Sequence, residues 1–185
     1  WSGKLGGLTS TGAYGYYLNF GNLYIRSRGL TKVTDYVRYL DINDAVAGVK
    51  YTMDGVEYNR TYFASNPDSC VVIRYTASQG GKINTTLTLR NQNGRNVSYT
   101  VDKNNQATIT FDGQVARRND YGAATPESYY CSARIVTDGG TVTKNAKGLI
   151  EVNGANSMTV YLRGLTDFDP DAPEYVSGAN LLAGR

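Results

Sequence analysis

The dipeptide Asp54-Gly55 is the feature that most limits what this chain can fold into. It separates two runs in which large apolar or aromatic residues alternate with polar ones. Asp-Gly in this setting is the strongest short-range hairpin signal, because a type I′ turn requires positive φ at both central residues. The stretch therefore predicts two antiparallel strands joined by a two-residue turn. The alternating large residues are Val49, Tyr51 and Met53 before the turn and Val56, Tyr58 and Tyr62 after it.

Short alternating or apolar runs, separated by turn residues, fill most of the remaining sequence. The most apolar run, Cys70–Ala77, predicts a central strand, and Val33–Asp41 predicts a half-buried strand with large residues on both faces. Open twisted sheets rarely grow to a dozen strands, so we predict an all-β fold, a large two-sheet antiparallel β-sandwich of the super-sandwich type with about a dozen strands. Further strands are predicted at 20–27, 82–90, 96–102, 106–113, 128–137, 141–145, 148–153 and 157–164. Turns are predicted at 66–68, 80–81, 93–94, 104–105, 112–113, 138–140 and 153–154.

The composition agrees with a β-rich domain. The 185 residues include 21 glycines and 16 tyrosines, and one domain of this length can bury a substantial core. The net charge of +3 is small and dispersed, which argues against nucleic acid as a partner. No apolar run reaches the roughly 18 residues that a membrane-spanning helix needs.

The chain divides into three predicted parts. Residues 1–19 form a Gly-rich lead-in loop, residues 20–165 the β-sandwich, and residues 166–185 an acidic linker that ends in a short helical start. Segment 42–47 either makes one helical turn or links two strands, and 116–127 is a long polar loop. The chain begins at tryptophan and carries no signal peptide, so we interpret it as a piece of a longer protein.

The residue types that carry most catalytic chemistry are missing or badly placed. Histidine is absent, which excludes Ser-His and Cys-His nucleophilic catalysis and histidine metal sites. The acidic residues fall mostly at turn positions, and no pair has the pattern of a glycosidase acid and base. Cys70 and Cys131 lie in apolar runs, which favours two buried free thiols over a disulfide. We expect no catalytic residue, no metal site and no cofactor in this chain.

Tyrosine is in excess, and two interpretations of it remain open. Aromatic faces can stack on sugar rings, so exposed tyrosines would provide a carbohydrate platform. The alternative is that tyrosine packs in strands as an ordinary sheet residue. The candidates for carbohydrate contact are Tyr16, Tyr17, Tyr121, Tyr129 and Tyr130.

The region around the predicted hairpin resembles the N-terminal domain of glycoside hydrolase family 95, whose members are chiefly α-L-fucosidases. The resemblance covers residues 4 to about 166 and is strongest from 21 to 78. The residues that carry it are Arg38, Leu40, Asp41, Asp54, Gly55, Arg60, Tyr62, Phe63, Ser65 and Pro67.

The resemblance implies a β-sandwich that precedes a helical linker and an (α/α)6 barrel. In that family the barrel supplies the catalytic residues, so none is carried over to this chain. The implied partners are the chain's own C-terminal catalytic domain and, through the full-length protein, fucosylated or related glycans. A periplasmic or secreted location is implied in the same way. Structural roles are expected for Asp54 and Gly55 in the turn, and an ion pair is hypothesised to join Asp41 to Arg38 and Arg60.

Two function classes follow from these observations. The first is a non-catalytic N-terminal domain that supports the catalytic barrel and contributes to the rim of the substrate cleft, and it predicts apolar residues on one outer sheet face. The second is a stand-alone carbohydrate-binding β-sandwich, and it predicts an exposed aromatic groove.

Overall fold

A computed structural model of the chain describes residues 20–90, 97–115, 126–172, 177–178 and 181. Twelve strands in these residues form two antiparallel sheets, which confirms the predicted β-sandwich. The smaller sheet has the order β1-β6-β11-β10, and the larger has the order β2-β3-β4-β5-β12-β9-β8-β7. The strands are β1 (Asn22–Ser27), β2 (Val33–Asp41), β3 (Val46–Met53), β4 (Val56–Ser65), β5 (Cys70–Ala77), β6 (Ile83–Arg90), β7 (Ser98–Val101), β8 (Ala107–Val115), β9 (Glu127–Asp138), β10 (Thr141–Lys144), β11 (Ile150–Ala155) and β12 (Ser157–Thr166).

The β3–β4 hairpin forms at the predicted turn. Asp54 and Gly55 have φ values of 50° and 73°, as a type I′ turn requires. Met53 pairs with Val56 directly across the turn. On the same sheet face the rings of Tyr51 and Tyr58 stack with centroids 5.1 Å apart. The local sequence therefore sets both the turn and the register of this hairpin.

The hydrophobic core lies between the smaller sheet and the centre of the larger one. Strand β6 shows the reason, because its apolar residues alternate and its inward side chains are nearly inaccessible to solvent. Strand β5 lies inside the larger sheet, as predicted, and Tyr75 is its buried contribution to the core. The largest fully buried side chains are Phe111, Leu87, Leu89, Ile109, Ile135, Ile150, Met158, Val152, Val160 and Thr85.

Strands β2, β3 and β4 extend beyond this core as an overhang of the larger sheet. The connected core includes buried residues of β5, β8, β9 and β12, whereas Tyr58 is the overhang's partly buried contribution. In β2 every residue except Tyr39 is exposed. The prediction of a half-buried strand at 33–41 was therefore right about its bounds and wrong about its burial, because β2 is an edge strand that the smaller sheet does not cover.

Two predicted turns lie inside strands instead. Asp112 and Gly113 belong to β8, where glycine allows the Tyr129 ring to lie against the backbone at the position that a side chain would occupy. Asn153 and Gly154 belong to β11 and coincide with a shift in its register against β6, which indicates a β-bulge. In both places glycine serves a strand irregularity or a close contact, which the dipeptide alone does not distinguish from a turn.

Several predicted features fall outside the described residues. These are the lead-in loop up to residue 19, the turn at 93–94, residues 116–125 of the polar loop, and most of the C-terminal helical start. Segment 42–47 is a link, with a turn at 42–45 followed by β3. None of the described residues forms a helix, and hence none provides a helix that could cross a membrane.

Both cysteines are free thiols, as predicted, but only Cys131 is buried. Burial raises the pKa of the Cys131 thiol to about 11. At pH 8 only about one such thiol in a thousand is ionised. We therefore expect a disulfide reagent to modify Cys70 in the native protein and Cys131 at least ~100-fold more slowly, when the sheet opens.

Time-resolved thiol titration at pH 8 checks this difference. The Cys70→Ser variant should lose the fast phase and keep the slow one. Equal rates for the two thiols, or a fast phase that survives in Cys70→Ser, would contradict the expected protection of Cys131.

Candidate functional site

Arg60 occupies a largely enclosed position on the inward face of the overhang. Its guanidinium carbon lies 5.2 Å from the ring centroid of Tyr51 and 5.0 Å from that of Tyr75. Its Nη2 donates hydrogen bonds to the Tyr51 hydroxyl at 3.1 Å and to the Ser27 hydroxyl at 2.9 Å. Burial lowers the pKa of Arg60, but the interactions with Tyr75 and Tyr51 outweigh it and leave the pKa above its ordinary value. The charged side chain of Arg60 thus links the overhang to Ser27, at the end of β1.

The hypothesised ion pair between Asp41 and the two arginines does not form. The Asp41 carboxylate accepts hydrogen bonds from the backbone N–H groups of Asn43 and Asp44, at 3.0 and 3.2 Å, and so caps the turn between β2 and β3. Arg38 is exposed on β2, and the partners of Arg60 are hydroxyl groups and rings. The charge-pair hypothesis was wrong because Asp41 lies at the sheet's end and satisfies its own turn.

Only two of the five tyrosines predicted to contact carbohydrate lie within the described residues. The Tyr129 ring packs edge-on against Phe20 and Phe111, with centroids 6.0 and 6.1 Å away. Tyr130 is 6% exposed. Tyr16, Tyr17 and Tyr121 lie outside the described residues. Tyr129 therefore packs against the core between the sheets, Tyr130 is buried on the other face of β9, and carbohydrate contact by the set stays a prediction.

A groove lined by both polar and apolar residues lies on the outward face of the larger sheet. It has a volume of about 470 Å³ and crosses β2, β3, β4 and β5. Tyr75 points into the core, so the next residue, Thr76, points outward. Asn59 pairs with Thr76 on one side and with Lys50 on the other, and Lys50 pairs with Val37. These four residues therefore form one outward-facing row across the sheet.

A second row completes this outer groove. Thr52 of β3 pairs with Glu57 of β4, and Asp35 of β2 lines the same space. The Glu57 N–H donates to the Ser78 hydroxyl at 3.0 Å, and the Ser78 N–H donates to the Glu57 carbonyl at 2.9 Å. This exchange holds the end of β5 against β4. The groove was not predictable from the sequence, because its residues come from four strands and meet only through the register.

The most exposed large apolar side chains of the described residues lie on and beside β2. Leu40 is 71% exposed, and Ile42, in the following turn, is 82% exposed. We call these two residues the edge patch. The first function class predicted apolar residues on one outer sheet face, whereas this patch lies at one end of a free sheet edge.

Comparison with known proteins places this fold in a family. The sequence model of the family described as glycosyl hydrolase family 65, N-terminal domain, matches residues 4–171. The chain belongs to this family. The expectation of a glycoside hydrolase N-terminal domain is thereby confirmed at the level of the domain, whereas family 95 membership stays a prediction.

Two curated relatives of this glycosyl hydrolase domain have fucosidase names. The chain is 42% identical to alpha-L-fucosidase 2 of Arabidopsis thaliana over 48 residues, which are 26% of this chain and 6% of the relative. It is 25% identical to probable alpha-fucosidase A of Aspergillus oryzae over 177 residues, covering 86% of this chain and 21% of the relative. The matched regions thus span about a fifth of the length of the second relative and less of the first.

Proposed function

We propose that this domain is the non-catalytic N-terminal part of an α-L-fucosidase-like enzyme of glycoside hydrolase family 95. Its role is to support a C-terminal catalytic domain and to contribute to the rim of that domain's substrate cleft. Fucosylated or related glycans are then partners of the full-length protein, which works in the periplasm or outside the cell. The fucosidase names of the two relatives support this specificity.

The observation that carries the supporting role is the edge patch. An exposed apolar strand edge offers unpaired backbone groups and apolar side chains, which natural proteins usually cover or block with charge. Leu40 and Ile42 leave a large apolar surface at such an edge uncovered. Covering one side chain of this size contributes about 1.5–3 kcal/mol. A packed neighbouring domain would provide this cover.

The direction of the strands argues that the covering polypeptide is the one that follows β12. Successive antiparallel pairings lead from β2 through β3, β4 and β5 to β12, so β2 and β12 run in the same direction. The end of β12 at Thr166 therefore lies at the same end of the sheet as the edge patch. Polypeptide that continues from Thr166 starts out at the end of the sheet where cover is needed.

The double variant Leu40→Asp/Ile42→Asp tests this proposal in the full-length protein. We expect the wild type to hydrolyse an aryl α-L-fucoside and the 185-residue chain alone to show no turnover. The double variant should lose at least ~10-fold in turnover or in half-life at elevated temperature, because two carboxylates would be buried against the catalytic domain. The 185-residue double variant should unfold at nearly the wild-type temperature, since both side chains are exposed there.

Val101→Asp, on the opposite edge strand β7, is the matched control and should leave full-length turnover unchanged. Unaltered turnover and half-life in the double variant would overturn the supporting role. Turnover of a different aryl glycoside, with none of the fucoside, would overturn the fucosidase specificity. Hydrolysis by the 185-residue chain alone would overturn its non-catalytic status.

A further inference from the structure

We propose that the outer groove is a binding site for a neutral polyhydroxylated ligand, namely a mono- or disaccharide unit of a glycan. This goes beyond the supporting role proposed above and does not depend on it. The groove lies on the outward sheet face near the β3–β4 turn, whereas the edge patch lies at the other end of β2. A ligand and a covering domain would thus occupy different places on the larger sheet.

The volume and the lining of the outer groove suit a small sugar. A volume of about 470 Å³ is within the usual range of ligand sites, roughly 300–1,000 Å³. The polar part of the lining mixes groups that only accept, only donate or do both: two carboxylates, one ammonium group, one amide and two threonine hydroxyls. A sugar hydroxyl both donates and accepts, so a surface with both kinds of partner matches it. The groups are Asp35, Glu57, Lys50, Asn59, Thr52 and Thr76.

Asn59 provides the most specific sign of an unfilled polar contact. Its Oδ1 atom is shielded from solvent and accepts no hydrogen bond within the described structure. A buried acceptor without a donor is costly, so such a group calls for an explanation. Its row places it between Lys50 and Thr76, at the middle of the groove floor. Because this atom is shielded in the ligand-free chain, a ligand hydroxyl would donate the missing hydrogen bond once the Asn59 side chain turns toward the groove.

The backbone of β2 is shaped to bring Asp35 to the groove. The register of β2 against β3 shifts between Thr34 and Val37, which indicates a bulge. Asp35 has a φ of 53°, in the left-handed region that residues with a Cβ seldom adopt. Its Oδ2 accepts a hydrogen bond from the Thr34 hydroxyl at 2.9 Å, which fixes the carboxylate. Bulges commonly redirect a side chain at a functional position.

Other ligand classes fit this lining less well. Two carboxylates disfavour an anion, and an apolar ligand would leave the hydroxyls and the amide without partners. The described residues contain no group of three His, Cys, Asp or Glu side chains that could hold a metal ion. Lys50 also lies in the groove lining, where its charge opposes a cation. A neutral ligand rich in hydroxyl groups satisfies all of these groups together.

Titration of the isotope-labelled 185-residue chain by NMR tests this site. The probes are L-fucose, D-galactose, D-glucose and 2′-fucosyllactose, each raised to about 50 mM, a concentration that would nearly saturate a site with a Kd of roughly 1–10 mM. We expect at least one probe to give saturable shifts that centre on the backbone amides of Lys50, Asn59 and Thr76. Glu57→Gln and Asn59→Ala should each weaken that binding at least ~10-fold.

Thr61→Ala is the matched control, because Thr61 is the next outward residue of β4 and lies outside the groove lining. It should leave binding unchanged. Glu57 is exposed, so its isosteric variant keeps the site testable even if Asn59→Ala fails to fold. No saturable shift with any probe, or shifts that Glu57→Gln leaves unaltered, would overturn the proposal. Saturable Ca²⁺ binding at the same amides without sugar binding would overturn it in favour of a cation site.

Discussion

Replacing Phe111 by alanine is expected to lower the free energy of unfolding by about 3–5 kcal/mol. Phe111 is fully buried in β8 and heads the fully buried side chains in volume. Its ring lies 6.0 Å from that of Phe20 and 6.1 Å from that of Tyr129, so it joins the start of the described chain to β9. Alanine would remove these contacts and leave a cavity that the two flanking sheets cannot close without moving.

Equilibrium denaturant unfolding of the 185-residue chain measures this loss. Phe63→Ala is the matched control, because Phe63 carries the same side chain on the outward face of β4 and is 38% exposed. Phe63→Ala should lower the free energy of unfolding by only about 1 kcal/mol. Equal losses at the two positions would contradict the assignment of the core to the space between the sheets.

Replacing Arg60 by alanine is expected to lower the free energy of unfolding by about 2–4 kcal/mol, the second largest effect after that of Phe111→Ala. The substitution removes two cation–π contacts and two charge-assisted hydrogen bonds, and it leaves the Tyr51 and Ser27 hydroxyls without their donor. Only Tyr58 of the overhang's described residues packs against the connected core, so we expect the overhang's amides to lose hydrogen-exchange protection more than those of β8 and β9.

Arg38→Ala separates this effect from a general loss of charge. Arg38 lies in the same cross-strand row as Arg60, with Val49 between them, but it is exposed. We expect a change within about 0.5 kcal/mol there. The loss of unfolding free energy for Arg60→Lys should lie between the losses for Arg60→Ala and Arg38→Ala. An ammonium group keeps the charge but cannot reproduce the planar stacking on both rings. A loss at Arg60 no greater than that at Arg38 would show that the tie to β1 does not stabilise the overhang.

Features that depend on neighbouring residues were predictable from the sequence. The Asp54-Gly55 turn has the required backbone angles, and β2 and β5 have the bounds that their alternating or apolar runs indicated. The number of strands also implied two sheets. These predictions succeeded because φ preferences and the two-residue strand period act locally.

Features that depend on distant segments were not predictable in this way. The residue pattern of β2 indicates a half-buried strand. The burial of this strand, however, is decided by how far the smaller sheet reaches across the larger one. Asp41 looked like a partner for Arg60, but its turn supplies its hydrogen bonds and Tyr51 and Tyr75 enclose the arginine. A charged residue's partner is set by packing across strands, which no short stretch encodes.

The sequence by itself determined the strands, the hairpin and the family of glycosyl hydrolase domains, because these follow from local backbone preference and from the order of residues. Only the tertiary structure decided that the larger sheet overhangs its partner, that Arg60 ties the overhang to β1, and that polar residues of four strands line one groove. The physical reason is the register. Val37, Lys50, Asn59 and Thr76 are far apart in the chain and become neighbours only when backbone hydrogen bonds align β2, β3, β4 and β5.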